Sequence, residues 1–135
     1  MSITVTVYNH IPRRLIDHTI DLANATLRMR LVTSGYTPDA DHTLIGDLGD
    51  HEVDDPSYSA QNVTTVGINQ DNITGTTVTY SALSAGFRYI VLTADDATND
   101  WLLCYYDLGA DVVIDGADYT PAFSSGVVFD LERAV

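Results

Sequence analysis

The stretch that decides the fold runs from residue 87 to residue 108 and consists of FRYIVLT (87–93), ADDATND (94–100) and WLLCYYDL (101–108). The two outer segments are apolar at nearly every position and rich in β-branched and aromatic side chains, which is typical of strands buried on both faces. The acidic segment between them has no helical period and cannot join a core. We therefore predict an antiparallel hairpin at the centre of a β-fold.

Shorter segments on both sides of this hairpin also alternate as strands do. Leu27, Met29 and Leu31 alternate with Thr26, Arg28 and Arg30, which predicts a strand over 26–34 with one buried face and one solvent-facing face. Further strands are predicted at 3–7, 63–68, 72–80, 112–114 and 127–132. Small residues or glycine signals predict a loop at 81–86, turns at 109–111 and 115–116, and a linker over 119–125.

Residues 12–18 are expected to form a short helix, because apolar residues fall near helical spacing and Pro12 suits a first turn. The pattern amounts to about seven to nine short strands with turn signals at sandwich spacing. The predicted fold class is all-β, with residues 1–135 forming a single-domain antiparallel β-sandwich, jelly-roll-like, with one short N-terminal helix or helical turn.

The charge of the chain limits its partners. Nineteen acidic residues face six basic ones, the net charge is −13, and all six basic residues are arginine. Such a surface repels phosphate backbones, so we expect no direct binding of nucleic acid. Many aspartates without lysine are typical of proteins from salt-loving hosts, and we expect a halophilic setting. No basic leader segment and no apolar run of membrane-spanning length occur, so neither a signal peptide nor a membrane partner is expected.

Two acidic segments are weak candidates for a metal site. Asp39 and Asp41 begin like a calcium loop, but Leu44 stands where the turn requires glycine and no glutamate closes the frame. Asp95 and Asp96 belong to a second oxygen-rich loop with the same weakness. Solvated acidic loops explain both segments better. We therefore predict no cofactor, with structural cations left open.

A catalytic constellation is not recognisable in the sequence, so we predict no catalytic residues and a protein that is not an enzyme. Cys104 lies in the most apolar segment and is expected to be a packed thiol. Trp101 is expected at the rim of the core. The tyrosines suit either an interface or sheet packing, and the sequence leaves both open; they include Tyr36, Tyr58, Tyr80, Tyr89, Tyr105, Tyr106 and Tyr119.

Two segments carry a resemblance to a known family: IDL (20–22) and TLRMRLVTSGYTPDADH (26–42). Together with EV (52–53), Tyr58, RY (88–89) and YDLG (106–109) in the same order, they resemble small virion structural proteins of tailed phages over about residues 4–132. The chain departs from the family pattern at DDPS (54–57), where a glycine-rich approach to the tyrosine is usual, and at Arg28 or Arg30, where lysine is usual.

The resemblance implies a capsid decoration or cement protein, or the base of a head fibre, that sits on the outside of the viral shell after synthesis in the host cytoplasm. Its implied partners are the major capsid protein and copies of itself, as a homotrimer. The alternative is a tail- or turret-associated adhesion module that uses Trp101, Tyr105 and the acidic loops.

The acidic connection 38–56 and the paired arginines are the candidates for partner contacts, and we expect that residues 39–55 could be deleted without unfolding the sandwich. The candidate contact residues are Arg13, Arg14, Tyr36, Asp39, Asp41, Asp47, Asp50 and Tyr58.

Overall fold

A computed structural model describes residues 4–22, 24–68, 72–121 and 127–130. These residues form an all-β fold with one short helix and one 3-10 turn, which confirms the predicted fold class. The elements in chain order are β1 (Thr4–Val7), α1 (Ile11–Ile16), β2 (Thr26–Val32), the 3-10 turn (Ile45–Leu48), β3 (Gln61–Val63), β4 (Thr65–Ile68), β5 (Asn72–Gly75), β6 (Tyr80–Asp95), β7 (Asp100–Tyr119) and β8 (Val127–Asp130).

The strands form two antiparallel sheets. The larger sheet has the order β1-β7-β6-β2-β3, and the smaller sheet has the order β4-β5-β8. The predicted hairpin of β6 and β7 lies at the centre of the larger sheet, with Asp95 opposite Asp100 and a loop at 96–99. The prediction of this hairpin is therefore confirmed, and β1 and β2 pair with its outer sides.

The core is built on the hairpin, because residues 89–95 and 101–104 are all buried. Cys104 is one of these residues, and burial raises the pKa of its thiol to about 12. The predicted packed thiol is confirmed, since a thiol with such a pKa is protonated at neutral pH and is a poor nucleophile.

The two hairpin strands are longer than the sequence suggests, and three predictions are corrected here. Residues 81–86 belong to β6 rather than to a loop, and the predicted turns at 109–111 and 115–116 lie within β7, which ends at Tyr119, the first residue of the predicted linker. The register shifts near Gly109 and Gly116, which have φ values of 85° and 72°. Both glycines therefore form bulges, where the chain bends but the strand continues.

The predicted solvent-facing side of β2 is wrong at one position. Arg30 is only 6% exposed, because it lies under acidic side chains that come from other parts of the chain. Arg28 and Thr26 keep the predicted exposure to solvent at least in part.

The single α-helix lies close to its predicted place, starting at Ile11 with Pro12 in its first turn and ending at Ile16. Within the described ranges, no helix is both long and apolar enough to span a membrane.

Candidate binding surfaces

The acidic loop, defined as residues 38–56, is fastened to the larger sheet by backbone hydrogen bonds. Near its start, Asn9 N donates to Ala40 O at 2.7 Å and Leu102 N donates to Thr43 O at 2.9 Å. Near its end, Val53 N donates to Leu31 O at 2.9 Å. Hydrogen bonds to Asn9, just after β1, and to β2 and β7, together with the 3-10 turn, therefore hold the acidic loop in place.

Buried side chains add a second attachment of the acidic loop. The hydroxyls of Tyr8 and Tyr36 are hydrogen-bonded at 3.0 Å, and the Tyr36 hydroxyl lies 2.8 Å from His42 Nδ1. Leu48 is 1% exposed within the core. Tyr36 is itself only 3% exposed, so its predicted role in partner contact is corrected: the ring joins the loop to the sheet from inside.

The acidic side chains of the loop differ in how many hydrogen bonds they accept from within the protein. Asp47 accepts from Thr43 N at 2.8 Å, which lowers the pKa of its carboxyl, and also from Leu44 N at 3.2 Å. Asp39 accepts from Asp41 N, and Asp41 accepts from Asn9 Nδ2. The side chain of Asp50 is 99% exposed. All four project from the loop into solvent, so the structure presents them together as one acidic surface.

The expectation that residues 39–55 are dispensable is also corrected. Glu52 accepts two hydrogen bonds from the buried Arg30, and Leu48 and Val53 belong to the core. A deletion would leave a buried guanidinium without its partner and open cavities, which are among the costliest changes in a folded protein. Single exposed acids, not a deletion, are therefore the proper probes of this surface.

The two predicted arginine anchors have different environments. Arg13 is exposed, whereas the guanidinium of Arg14 lies over the indole of Trp101, 4.3 Å from its centroid. Arg14 Nε donates to His10 Nδ1 at 2.9 Å, which leaves the ring proton on Nε2 to bond Leu102 O at 2.9 Å. Burial, followed by the nearby Arg14 charge, lowers the pKa of His10. Arg14 therefore contributes to packing, and Arg13 remains available to a partner.

Trp101 is 7% exposed, which agrees with its predicted place at the rim of the core. Its Nε1 donates to Asp96 Oδ2 at 3.0 Å, and the ring is covered by Arg14. A sugar stacking on this indole would first have to displace Arg14, so one of the side chains that the adhesion alternative uses is covered within the fold.

A buried ionic network that the sequence did not reveal joins four segments of the fold. Arg30 donates to Glu52 at 3.3 Å, to Asp95 Oδ2 at 3.1 Å and to Thr93 Oγ1 at 3.1 Å. Tyr58, a predicted contact residue, donates its hydroxyl proton to Glu52 at 2.5 Å and accepts from Leu31 N. Its hydroxyl is thus committed internally, and the partner role predicted for it is corrected to a structural one.

A groove of about 500 Å³ opens beside this network. Asp95 lines it with one carboxylate oxygen buried and without a hydrogen-bond partner, and burial raises the pKa of this carboxyl in spite of the adjacent Arg30. Asp96 accepts from the backbone of Thr98 and from Asn99. The lining residues are Thr19, Asp21, Asn24, Ala25, Thr26, Arg28, Asp95, Asp96, Ala97 and Asp100.

The weak metal candidates fall in two separate places, with Asp39 and Asp41 in the acidic loop and Asp95 and Asp96 at the groove. Across the described ranges, no three acidic, histidine or cysteine side chains form a group suited to hold a metal ion. The groove is lined mainly by polar and acidic side chains beside the ion pair of Arg30 and Asp95.

The tyrosines, for which the sequence left two explanations, mostly pack against one another. The rings of Tyr58 and Tyr80 are stacked at 5.8 Å and those of Tyr80 and Tyr119 at 6.3 Å. Tyr80 donates its hydroxyl proton to Met29 O at 2.7 Å. For these three rings the packing explanation holds.

The sequence reasoning missed the burial of Arg30 and the extent of the hairpin beyond the sheet. No local signal could have shown the first, since Arg28 and Arg30 both stand between two apolar residues of β2 and only Arg30 is buried. Comparisons with protein-family models, with curated proteins and with solved structures find no match to this chain.

Proposed function

We propose that this chain is a non-enzymatic structural protein of a virus particle, which binds the outside of the capsid as a decoration or cement protein. Its resemblance to small virion proteins over segments 20–42 and 106–109 motivates the proposal. The observation that carries it is the rigid attachment of the acidic loop, which presents charged side chains on a fixed scaffold.

A pre-ordered surface suits this task. Association is opposed by the entropy of ordering loops and side chains, so a loop that is already fixed loses less on binding. Backbone hydrogen bonds to Asn9, β2 and β7, together with the buried Leu48, hold the acidic loop before any partner arrives. A cement protein needs only such contacts, because any ligand that binds the assembled shell and not its disassembled state stabilises the shell.

The titratable groups support a structural role as well. A hydrogen bond from the backbone lowers the pKa of Asp47, and one from Arg88 lowers the pKa of Asp107. Burial is the main cause that raises the pKa values of Tyr8 and Tyr58. Each of these groups is engaged in holding the fold together. None of the four lines the groove, and Asp95, which does, is paired with Arg28 and Arg30.

The charge of −13 favours a partner surface that is basic where it meets the acidic loop. On this proposal the major capsid protein supplies that surface, and further copies of the chain, as a trimer, occupy neighbouring positions on the shell. The site of action is the exterior of the capsid.

The test mixes the purified protein with shells that lack it and measures co-sedimentation, copy number per particle and resistance of the particle to heat. We expect the protein in hundreds of copies and particles that withstand a higher temperature. Binding of a few copies at the tail would instead support the adhesion alternative, and no binding would refute both.

The contact surface is tested with the double variant Asp50→Lys and Asp54→Lys. Both side chains are exposed, and neither takes part in the core. Reversing two charges should weaken binding to shells by about tenfold if the acidic loop faces a basic surface. Unchanged binding would remove the loop from the contact.

A further inference from the structure

The central hairpin continues beyond the sheet as a two-stranded ribbon, defined as residues 80–88 of β6 and 108–119 of β7. β2 pairs with β6 only over residues 89–95, and β1 pairs with β7 only over residues 104–107. Among the described strands, none pairs with residues 108–119 on the side away from β6. Within the described residues, that side of β7 therefore presents backbone groups that no strand pairs with.

Bulges bound the regular part of this side. Residues 112–115 of β7 pair in unbroken register with residues 84–87 of β6, and the shifts at Gly109 and Gly116 lie on either side. Residues 110–115, called the open edge below, give about six residues of extended chain, close to the common length of a strand. The open edge is thus long enough to pair with one more strand.

The side chains of the open edge differ sharply between its two faces. Val112 and Ile114 lie on the inner face, opposite Phe87 and Ala85, and are half-buried. The outer face presents Asp111, Val113 and Asp115, and Val113 is 75% exposed.

The exposure of Val113 has a local cause. It stands opposite Gly86, so no cross-strand side chain covers it. The aliphatic stem of a basic side chain on an incoming strand can cover Val113 while its charge reaches the flanking acids.

We propose that the open edge binds an extended segment of a partner protein by strand addition, and that this segment alternates apolar with basic side chains. The main chain of such a segment would satisfy the unpaired backbone groups, as in other strand-addition complexes. Its apolar side chains would pack beside Val112 and Ile114, and its basic side chains would lie beside Asp111 and Asp115.

Charge excludes a second copy of this chain as the occupant. Antiparallel pairing of two open edges centred on Val113 would place Asp111 of one copy opposite Asp115 of the other, and like charges opposite each other destabilise a strand pair. The same acids also discourage pairing with neutral or acidic edges, which is a common protection of edge strands. A basic strand would instead be attracted by the same acids.

The open edge would be one of the surfaces that contact the partner in the proposed function. Of that function, only the existence of a protein partner is needed here. The probe is a synthetic peptide of alternating lysine and valine, compared with one of alternating glutamate and valine. Hydrogen exchange of the whole chain locates binding. We expect the lysine peptide to slow the exchange of amides in 110–115, and the glutamate peptide to have no effect there.

The variant Asp111→Lys and Asp115→Lys makes the test independent of simple misfolding. It should bind the lysine peptide about tenfold more weakly and gain protection from the glutamate peptide, because the charges along the edge are reversed. The variant Asp50→Lys and Asp54→Lys carries the same change of net charge elsewhere and should keep the original preference. A reversal of preference cannot arise from an unfolded protein.

Three results would overturn the inference: no protection of 110–115, equal protection by both peptides, or a dimer that forms through this edge. Binding to shells separates it from the proposed function. Shells that bind the wild type and the Asp111→Lys, Asp115→Lys variant equally well would overturn the edge contact alone. A wild type that ignores shells but discriminates between the peptides would overturn the capsid function alone.

Discussion

Arg30 is the residue on which the interior of the larger sheet most depends. Its guanidinium is nearly enclosed and binds Glu52 from the acidic loop and Asp95 from β6, with Asp100 of β7 at 3.7 Å. A buried ion pair contributes little net stability compared with apolar residues, but removal of one partner leaves buried charge uncompensated. Arg30 therefore couples the acidic loop to the hairpin.

Replacement of Arg30 by alanine should lower the free energy of unfolding by about 3–5 kcal/mol, because Glu52 would lose its cation and Asp95 would keep only the partly exposed Arg28. Arg28 provides the matched control, since it reaches the same Asp95 oxygen from a side chain that is 41% exposed. Its replacement by alanine should cost less than about 1 kcal/mol. Urea unfolding of both variants measures the difference, and similar losses would contradict the argument.

His10 should make the free energy of unfolding depend on pH. Burial holds its pKa below the ordinary value of 6.5. The unfolded chain therefore binds the proton more readily than the folded one, and stability must rise with pH through the window between the two pKa values. The contribution is fully present above the ordinary value and is lost as the pH falls through the lower, folded-state pKa.

Unfolding in urea at several pH values between about 7 and 5 measures this slope, in a range where histidine is the side chain that ordinarily titrates. His10→Gln should flatten the slope. His18→Gln, at an exposed position, is the control substitution. A slope that survives in His10→Gln would show that another group is responsible.

The sequence predicted residue roles well where they depend on neighbours along the chain and poorly where they depend on distant ones. The burial of Cys104 follows from its apolar strand. The burial of Arg30 depends on Glu52 and Asp95, which are 22 and 65 positions away. Alternation in β2 carries no information about those acids, so it placed Arg30 in solvent.

At the scale of elements, the same signals that end strands also bend them. Gly109 and the Asp115-Gly116 pair were predicted as turns, because glycine with positive φ is what a turn requires. In the structure, cross-strand pairing with β6 on both sides of each glycine turns these positions into bulges within one strand. Whether such a glycine forms a turn or a bulge depends on the strand that pairs with it. The sequence of one strand alone does not specify that partner.

Gly116 provides the test of this conclusion. Its φ is +72°, and an added Cβ would meet nothing within 4 Å, so any cost of substitution comes from the backbone conformation alone. Gly116→Ala should destabilise the protein by about 1–2 kcal/mol. It should also speed the amide exchange of residues 112–119, because the bulge fixes the end of the ribbon.

The matched control is Gly46→Ala in the 3-10 turn, where an added Cβ also meets nothing but φ lies outside the left-handed region. This change should leave stability unaltered or raise it by up to about 1 kcal/mol, through the unfolded chain. Equal effects of the two substitutions on urea unfolding would show that the bulge conformation at Gly116 carries no cost.

At the scale of the whole molecule, charge opposes compactness. Nineteen acids and six arginines leave a net charge of −13 on a chain of 135 residues. Self-repulsion of this kind destabilises a folded state, and salt reduces it by shortening the range of each charge from about 10 Å at 0.1 M to about 3 Å at 1 M. The acidic composition should therefore make the stability of the fold depend on salt concentration.

We expect the melting temperature to rise by several degrees as sodium chloride increases from about 0.1 M to about 1 M. Salt also strengthens apolar association, so the part of the rise in melting temperature that is due to charge must be measured separately. The triple variant Asp50→Asn, Asp54→Asn and Asp115→Asn removes three exposed charges at positions outside the core. It should melt higher than the wild type at low salt and gain less from added salt, whereas a general effect on apolar association would raise both proteins equally. A wild type as stable at low salt as at high salt would mean that the acidic surface is there for its partners alone.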